Sequence, residues 1–319
     1  MSCVCPSALE KSLLEEFQQQ FAAEGGRAPE WAEKRPNIGD GDTSPIPPPI
    51  PLVGHCYRPG YGILVYASAE NLNWGGKPAH ERCQRLKSFR GEHYPWVRYR
   101  HQLNNLQLQP QTGSFPDVGI QPVSDGGLLC AARFIARHYC LPFDREPRSL
   151  LDTIAVTNWC KFVWAKDYAG CATRMRHSLP YVERELRLLR PRVVLLPYTI
   201  WREETAQQSM RRSASKASKT LFLPVPQFNR RVAISNQPKL WSNAAASAWP
   251  EFAASISATE DGIQELRHEG LQLRDNCSDP GLAVWVSEWS KASSIAMPDC
   301  WRFLAYLARV LTAQQSGDT

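Results

Sequence analysis

The sequence lacks several signatures that would each have assigned it a class. No apolar run approaches the roughly 20 residues that a membrane helix requires, so no membrane association is expected. The first residues do not run from a basic stretch into an apolar one, so no secretory leader is read and a cytoplasmic location is expected. Ten cysteines are present, but no two stand at the CxxC spacing of a zinc site; "CVC", at Cys3 and Cys5, is too close. They are read as reduced thiols, with no metal. No Gly-rich phosphate loop occurs, which gives no encouragement to an unrelated nucleotide-handling enzyme. No internal repeat is visible. A strong excess of one charge is missing too: 37 Lys and Arg against 31 Asp and Glu leave a net charge of +6 over 319 residues, compatible with a nucleic-acid partner without requiring one.

Proline and tryptophan, by contrast, are plentiful, at 25 and 11, within an ordinary 43% hydrophobic and 21% charged composition. Long ordered loops with aromatic anchors use both. The length suits one large domain with extensions. "SALEKSLLEEFQQQF" places Glu10 three residues after Ser7, a capping-box pattern, and sets Leu9, Leu13, Leu14, Phe17 and Phe21 on one helical face. The prolines of "RPNIGDGDTSPIPPPIPLVGHCYRPGYG" forbid helix and favour an extended connector over the surface, or a gating loop. Residues 1–59 are therefore read as a helix and Pro-rich connector packed on a main domain at 60–319, with an insertion at about 75–125 and a C-terminal helix.

Within the main domain, "ILVYA" (63–67) is a continuous apolar run, as in a central strand covered on both faces. A helix is expected in "GGLLCAARFIARHYC", a strand in "DTIAVTNWCKF", a helix capped by Ser178 in "SLPYVERELRLLR", and a strand in "PRVVLLPY". "TIWREETAQQSM" reads as helix and "KTLFLPVPQF" as a fourth strand broken by Pro224 and Pro226; "DCWRFLAYLARVLTAQ" carries a core stripe of Trp301, Leu304, Leu307, Val310 and Leu311. Alternating strands and helices predict an α/β fold: a central, mostly parallel four-stranded sheet with helices on both faces and N- and C-terminal extensions. Ligands of such sheets bind beyond the carboxyl ends of the strands, which points to residues 68–74 and 157–161.

Both places carry chemistry. An amide offers a donor and an acceptor together, so Asn158, in "TNWCK", suits the hydrogen-bonding edge of a flat heterocycle, although a turn or helix cap would use the same residue. The small residues of "ASAENLNW" leave room for a ligand beside Glu70, Asn71 and Asn73, or Glu70 and Asn71 cap a helix starting near Leu72. "HYPWVRYRH" mixes Arg98 and Arg100 with Tyr94, Trp96 and Tyr99, a set for stacking on unpaired bases or for an aromatic core. "RRSASKASK" offers Arg211, Arg212, Lys216 and Lys219 to a phosphate backbone, or is a solvated loop.

In order, "ILVYASAEN", "AVTNWCKF" and "LPYVERELRLLRPRVVLLP" resemble the catalytic loop, the Thr-Asn-x-x-Lys segment and the helix-to-strand passage of the uracil-DNA glycosylase superfamily, over roughly residues 60–235. The last two segments match in pattern and the first by position. The resemblance implies a monofunctional DNA glycosylase without a cofactor or an obligate protein partner. Its partner is double-stranded DNA, including phage DNA with modified bases. It implies Asn158, Asn73 and Lys161 at the extruded base, and Glu70 with Asn71 steering water and stabilising the cationic sugar. Ala69 stands where many relatives have Asp or Asn, and Leu223 falls at the place of their His-Pro-Ser histidine, leaving Gln227, Phe228 and Asn229 to contact base or stack, or to form only a proline-stiffened turn. Phe162 follows Lys161 where relatives with an iron-sulfur cluster place a ligand, so no cluster is implied. These departures, with the long insertion, imply a pocket rebuilt for a bulky modified cytosine such as glucosylated hydroxymethylcytosine, in antiviral defence. Repair of uracil or a deaminated base, and a catalytically silent DNA-binding protein, are the alternatives.

Overall fold

The computed structural model of the chain describes residues 8–30, 32, 48, 50–69, 122–141, 150, 153–162, 171–201, 203–216, 220–225, 260–293 and 296–317. Its centre is a sheet in the order β1-β3-β2-β4-β5, built from β1 (Leu52–Val53), β2 (Ile63–Ala69), β3 (Ile154–Cys160), β4 (Val193–Pro197) and β5 (Leu221–Val225). Strands β2 to β5 run parallel, with Val65 opposite Val156 on one side and Leu195 on the other. The α/β expectation holds. The four-stranded sheet does not: β1 adds a fifth strand, antiparallel to β3, so the sheet is mixed. Two residues directly after Pro51 show no alternation to read, and pairing with β3 is what makes them a strand.

Glu10 is put to use at that new edge. It lies in α1 (Ala8–Ala23), is buried, and its carboxylate accepts the Val53 N–H at 3.2 Å, covering a strand edge that would otherwise offer an unpaired amide. Ser7, the other half of the expected capping box, is outside the described residues. Pro224 sits within β5, where it is tolerated because, among the described strands, β5 is the opposite edge and pairs only with β4.

Strand alternation sends side chains to two cores. Ile63, Val65, Ile154, Val156, Val193, Leu195, Leu221 and Leu223 face one core, shared with α2 (Pro122–His138), α6 (Glu260–Asp275), α7 (Pro280–Ser293) and α8 (Met297–Gly317). Leu64, Tyr66, Ala155, Trp159, Val194, Leu196 and Phe222 face the other, shared with α1, α3 (Cys171–Leu189), α4 (Tyr198–Trp201) and α5 (Glu204–Lys216). Helices therefore cover both faces, and the C-terminal stripe from Trp301 to Leu311 is core as expected. Helices α6 and α7 were not legible in sequence. Gly270 admits α8 closely: a Cβ there would fall 2.7 Å from the Arg302 nitrogen.

Helix α3 starts at Cys171, two turns before the expected cap. Ser178 lies inside it, donating to the Arg174 carbonyl at 2.7 Å and accepting the Lys161 N–H at 2.8 Å. Ser178 is therefore not a cap, and Pro180, two residues further on, is carried within the helix although it cannot donate to the Arg176 carbonyl. Helix α5 likewise continues through Lys216, so residues 211–216 are helix and not loop. Arg, Ala, Ser and Lys are adequate helix formers once α5 is anchored by Ala206 and Met210.

Candidate functional site

The parallel strands give the sheet two unlike edges. Strands β2 and β3 end at Ala69 and Cys160, paired to one another, and β4 and β5 end at Pro197 and Val225, also paired. Helices α2, α3 and α5 each return the chain to the start of the next strand, so each begins near the carboxyl edge and ends near the amino edge. Hydrogen bonds at the amino edge fix this sense: Gly60 N–H to the Arg190 carbonyl at 2.6 Å, and the Thr220 hydroxyl to the Pro191 carbonyl at 2.8 Å.

Asn158 is at the carboxyl edge, opposite Ala67. Alternation from Ile154 and Val156 puts its side chain on the α2 face. It is 2% exposed, and among the described residues neither its Oδ1 nor its Nδ2 has a hydrogen-bond partner. Leaving a buried polar group unsatisfied costs on the order of 1–3 kcal/mol; Trp159 Nε1, Trp201 Nε1 and Ser209 Oγ are also buried without a partner, but Asn158 has two such atoms. Ala67, also buried, contributes only a methyl group beside it.

Lys161 lies one residue past the strand, 1% exposed, on the other face. Its Nζ donates to the Thr157 hydroxyl at 3.0 Å, to the Asn158 carbonyl at 2.6 Å and to the Glu185 carboxylate, which uses all three protons of the ammonium. Glu185 is wholly buried in α3 and also accepts the Tyr66 hydroxyl at 2.7 Å. Burial pushes the Glu185 carboxyl up, and Lys161, Tyr66 and Thr157 only partly offset it. Burial, with the neighbouring carboxylate, raises the Tyr66 phenol as well. Tyr66 meets Trp159 edge to face at 4.9 Å, closing the network. Lys161, expected at the base, instead grips the backbone carbonyl of Asn158 from behind. Glu185 was not singled out in sequence, yet it lies on the stripe of Tyr181, Val182, Leu186 and Leu189, where a carboxylate signals a buried partner.

The other expected site residues separate into two groups. Glu70 follows directly on Ala69, and Asn71 and Asn73 stand just beyond; Gln227, Phe228 and Asn229 come shortly after Val225. All six, and Lys219, lie outside the described residues. Residues 94–100 do as well. Arg211, Arg212 and Lys216 belong to the carboxyl half of α5, which leads to the amino edge, away from Asn158. Leu223 is no loop residue either: it is mid-strand in β5, fully buried opposite Leu195, so the loop position assigned to it falls after Val225. A cavity of about 190 Å³ lined by Cys56, Arg58, Tyr61, Gly62, Cys140, Leu141 and Thr153 also opens at the amino edge, and is separate from Asn158. Among the described residues no group of three or more His, Cys, Asp or Glu is placed to hold a metal ion.

Fold and site together define an α/β protein with a buried amide, unsatisfied among the described residues, at the carboxyl edge of a parallel strand pair. Compared with protein-family models, curated proteins and solved structures, the chain has no match.

Proposed function

We propose that the chain is a monofunctional DNA glycosylase that draws a nucleotide out of the duplex and holds its base against Asn158. The observation that carries this reading is the Asn158 amide, buried with donor and acceptor both unused among the described residues, at the edge where parallel α/β sheets bind ligands. A flat base edge offering one acceptor and one donor would satisfy both. Lys161 supports the same reading by fixing the carbonyl of Asn158, which limits the movement of its side chain. Glu70 and Asn71, next in the chain after β2, are assigned to water and to the cationic sugar. Water adds to C1′ as the glycosidic bond breaks, the base leaves with a proton, and an abasic site remains; no cofactor is consumed. The proposed substrate is a bulky modified cytosine, glucosylated hydroxymethylcytosine, of phage DNA.

Mass spectrometry of bases released from duplexes carrying cytosine, uracil, hydroxymethylcytosine or its glucosylated form tests this. Release of the glucosylated base alone, lost in Glu70→Ala and Asn158→Leu, is the expected result. Uracil release would return the protein to repair. Binding without release of any base would make it a silent DNA-binding protein.

A further inference from the structure

The thiols of this chain meet two fates. Cys130 of α2 and Cys300 of α8 are buried, and burial pushes both thiols above the ordinary cysteine value, which leaves them inert. Cys160 is buried at the end of β3, and the Cys277 thiol donates to the Asp279 carbonyl at 3.3 Å. Among the described side chains only Cys56 and Cys140 are exposed cysteines, and both line the one cavity at the amino edge. Free cysteine is among the most buried residue types, so two exposed thiols on a single cavity call for a reason.

Backbone bonds hold each of them there. Cys140 follows α2 in the left-handed conformation, with φ 53°. Its N–H bonds the Arg137 carbonyl at 3.0 Å, and the Leu141 N–H bonds the Ala136 carbonyl at 2.8 Å. In this helix-ending turn glycine is the favoured residue, because it carries no Cβ to clash. An exposed cysteine at that place gives up backbone stability without recovering it in the core. Cys56 lies on a turn pinned at both ends: the Gly54 N–H bonds the Ile154 carbonyl at 3.0 Å, and the Tyr57 hydroxyl donates to the Leu189 carbonyl at 3.2 Å. The two thiols therefore stand on fixed turns beside the starts of β2 and β3, whose neighbours Gly62 and Thr153 line the same cavity.

We infer that this cavity is a thiol-modification site, in which Cys56 and Cys140 reduce a small-molecule disulfide and become a disulfide themselves. One thiolate attacks a sulfur of the reagent, breaks its S–S bond and expels one thiolate, leaving a mixed disulfide in the cavity. The second thiolate attacks the protein sulfur of that mixed disulfide, forms the Cys56–Cys140 bond and expels the other half of the reagent. Two electrons and two protons pass from the protein to the reagent. The new bond ties the connector before β2 to the end of α2 and closes a long loop, residues 56–140, in the unfolded chain, which favours the folded state. The site is independent of the glycosylase reading.

Incubation of the reduced full chain with oxidised glutathione, followed by intact mass and non-reducing peptide mapping, tests it. The expected product is a peptide joining Cys56 to Cys140, formed with loss of two hydrogens and reversed by dithiothreitol, while Cys130 and Cys300 stay reduced. The oxidised chain should unfold at higher urea than the reduced one. Cys56→Ser should stop at a mixed disulfide on Cys140. Cys140→Gly should form no link, yet exceed reduced wild type in stability because glycine relieves the left-handed turn, so its failure to link is not a failure to fold. Glutathione left on both cysteines without a link, preferential links through other cysteines, or no reaction at either position would overturn the site.

Discussion

Asn158 and Lys161 stand three residues apart and are both buried, but on opposite faces of the sheet they meet burial in opposite ways. On the α3 face, Lys161 finds an acceptor for each proton, and Glu185, Tyr66 and Thr157 complete a closed network. On the α2 face, the Asn158 amide finds no hydrogen-bond partner among the described residues. A protein that only needed to bury this strand end would place an apolar residue at 158, as it does at Ile154 and Val156. The satisfied network is therefore read as scaffold and the unsatisfied amide as the part kept ready for a ligand.

The largest expected effect tests the scaffold side. Lys161→Met leaves the Glu185 carboxylate buried without its cation and should lower unfolding free energy by about 3–5 kcal/mol in urea titrations; adding Glu185→Leu should restore most of it. A single-variant loss under about 1 kcal/mol would break the comparison. On the other face the sign reverses: Asn158→Leu removes an unsatisfied amide and should leave stability unchanged or raise it by about 1–2 kcal/mol, while abolishing base release. Clear destabilisation would mean that the amide is bonded in the native protein.

Stability against pH separates the buried carboxylates further. The folded-state value of Glu185 is raised from the ordinary 4.5, mainly by burial, so its contribution is fully present below 4.5 and is lost as pH rises through the raised value. Asp279 differs: burial pushes its carboxyl up, but the Arg133 guanidinium, bonded to both of its oxygens at 2.8 and 2.9 Å, and the Leu282 N–H hold it below the ordinary 3.8. Its contribution is present above 3.8 and is lost as pH falls through the lowered value. Urea titrations across pH should show the limb above 4.5 flattened in Glu185→Gln and the acid limb flattened in Asp279→Asn. An unchanged limb in either variant would remove that group from the comparison. The smallest effect is expected where the charge is exposed: Arg187→Gln, with Arg187 59% exposed in its pair with Glu16, should change stability by at most about 0.5 kcal/mol.

Much of the fold was legible because period and burial agree. The run from Ile63, the strand before Asn158 and the stripe from Trp301 to Leu311 all read correctly from apolar spacing. The errors share a cause, which is that local signals were outweighed by packing. Ser178 followed by Pro180 looks like a helix start, yet the hydroxyl is needed by Lys161 and the helix continues on either side. Arg211 to Lys216 looks like a polar loop, and became helix because α5 had already been anchored on the sheet. Leu223 was counted as loop by analogy, whereas its pairing with Leu195 makes it strand.

Sequence alone determined that this is an α/β chain with Asn158 near the end of a parallel strand, because apolar periodicity and the order of elements are local properties of the chain. Tertiary structure decided the rest. Whether a polar side chain is satisfied depends on what packs against its own face of the sheet, as Glu185 is brought to Lys161 and, among the described residues, no partner to Asn158. Which edge of the sheet a basic cluster reaches depends on the direction in which each helix returns, and this turns the carboxyl half of α5, with Arg211 and Arg212, toward the amino edge and away from Asn158.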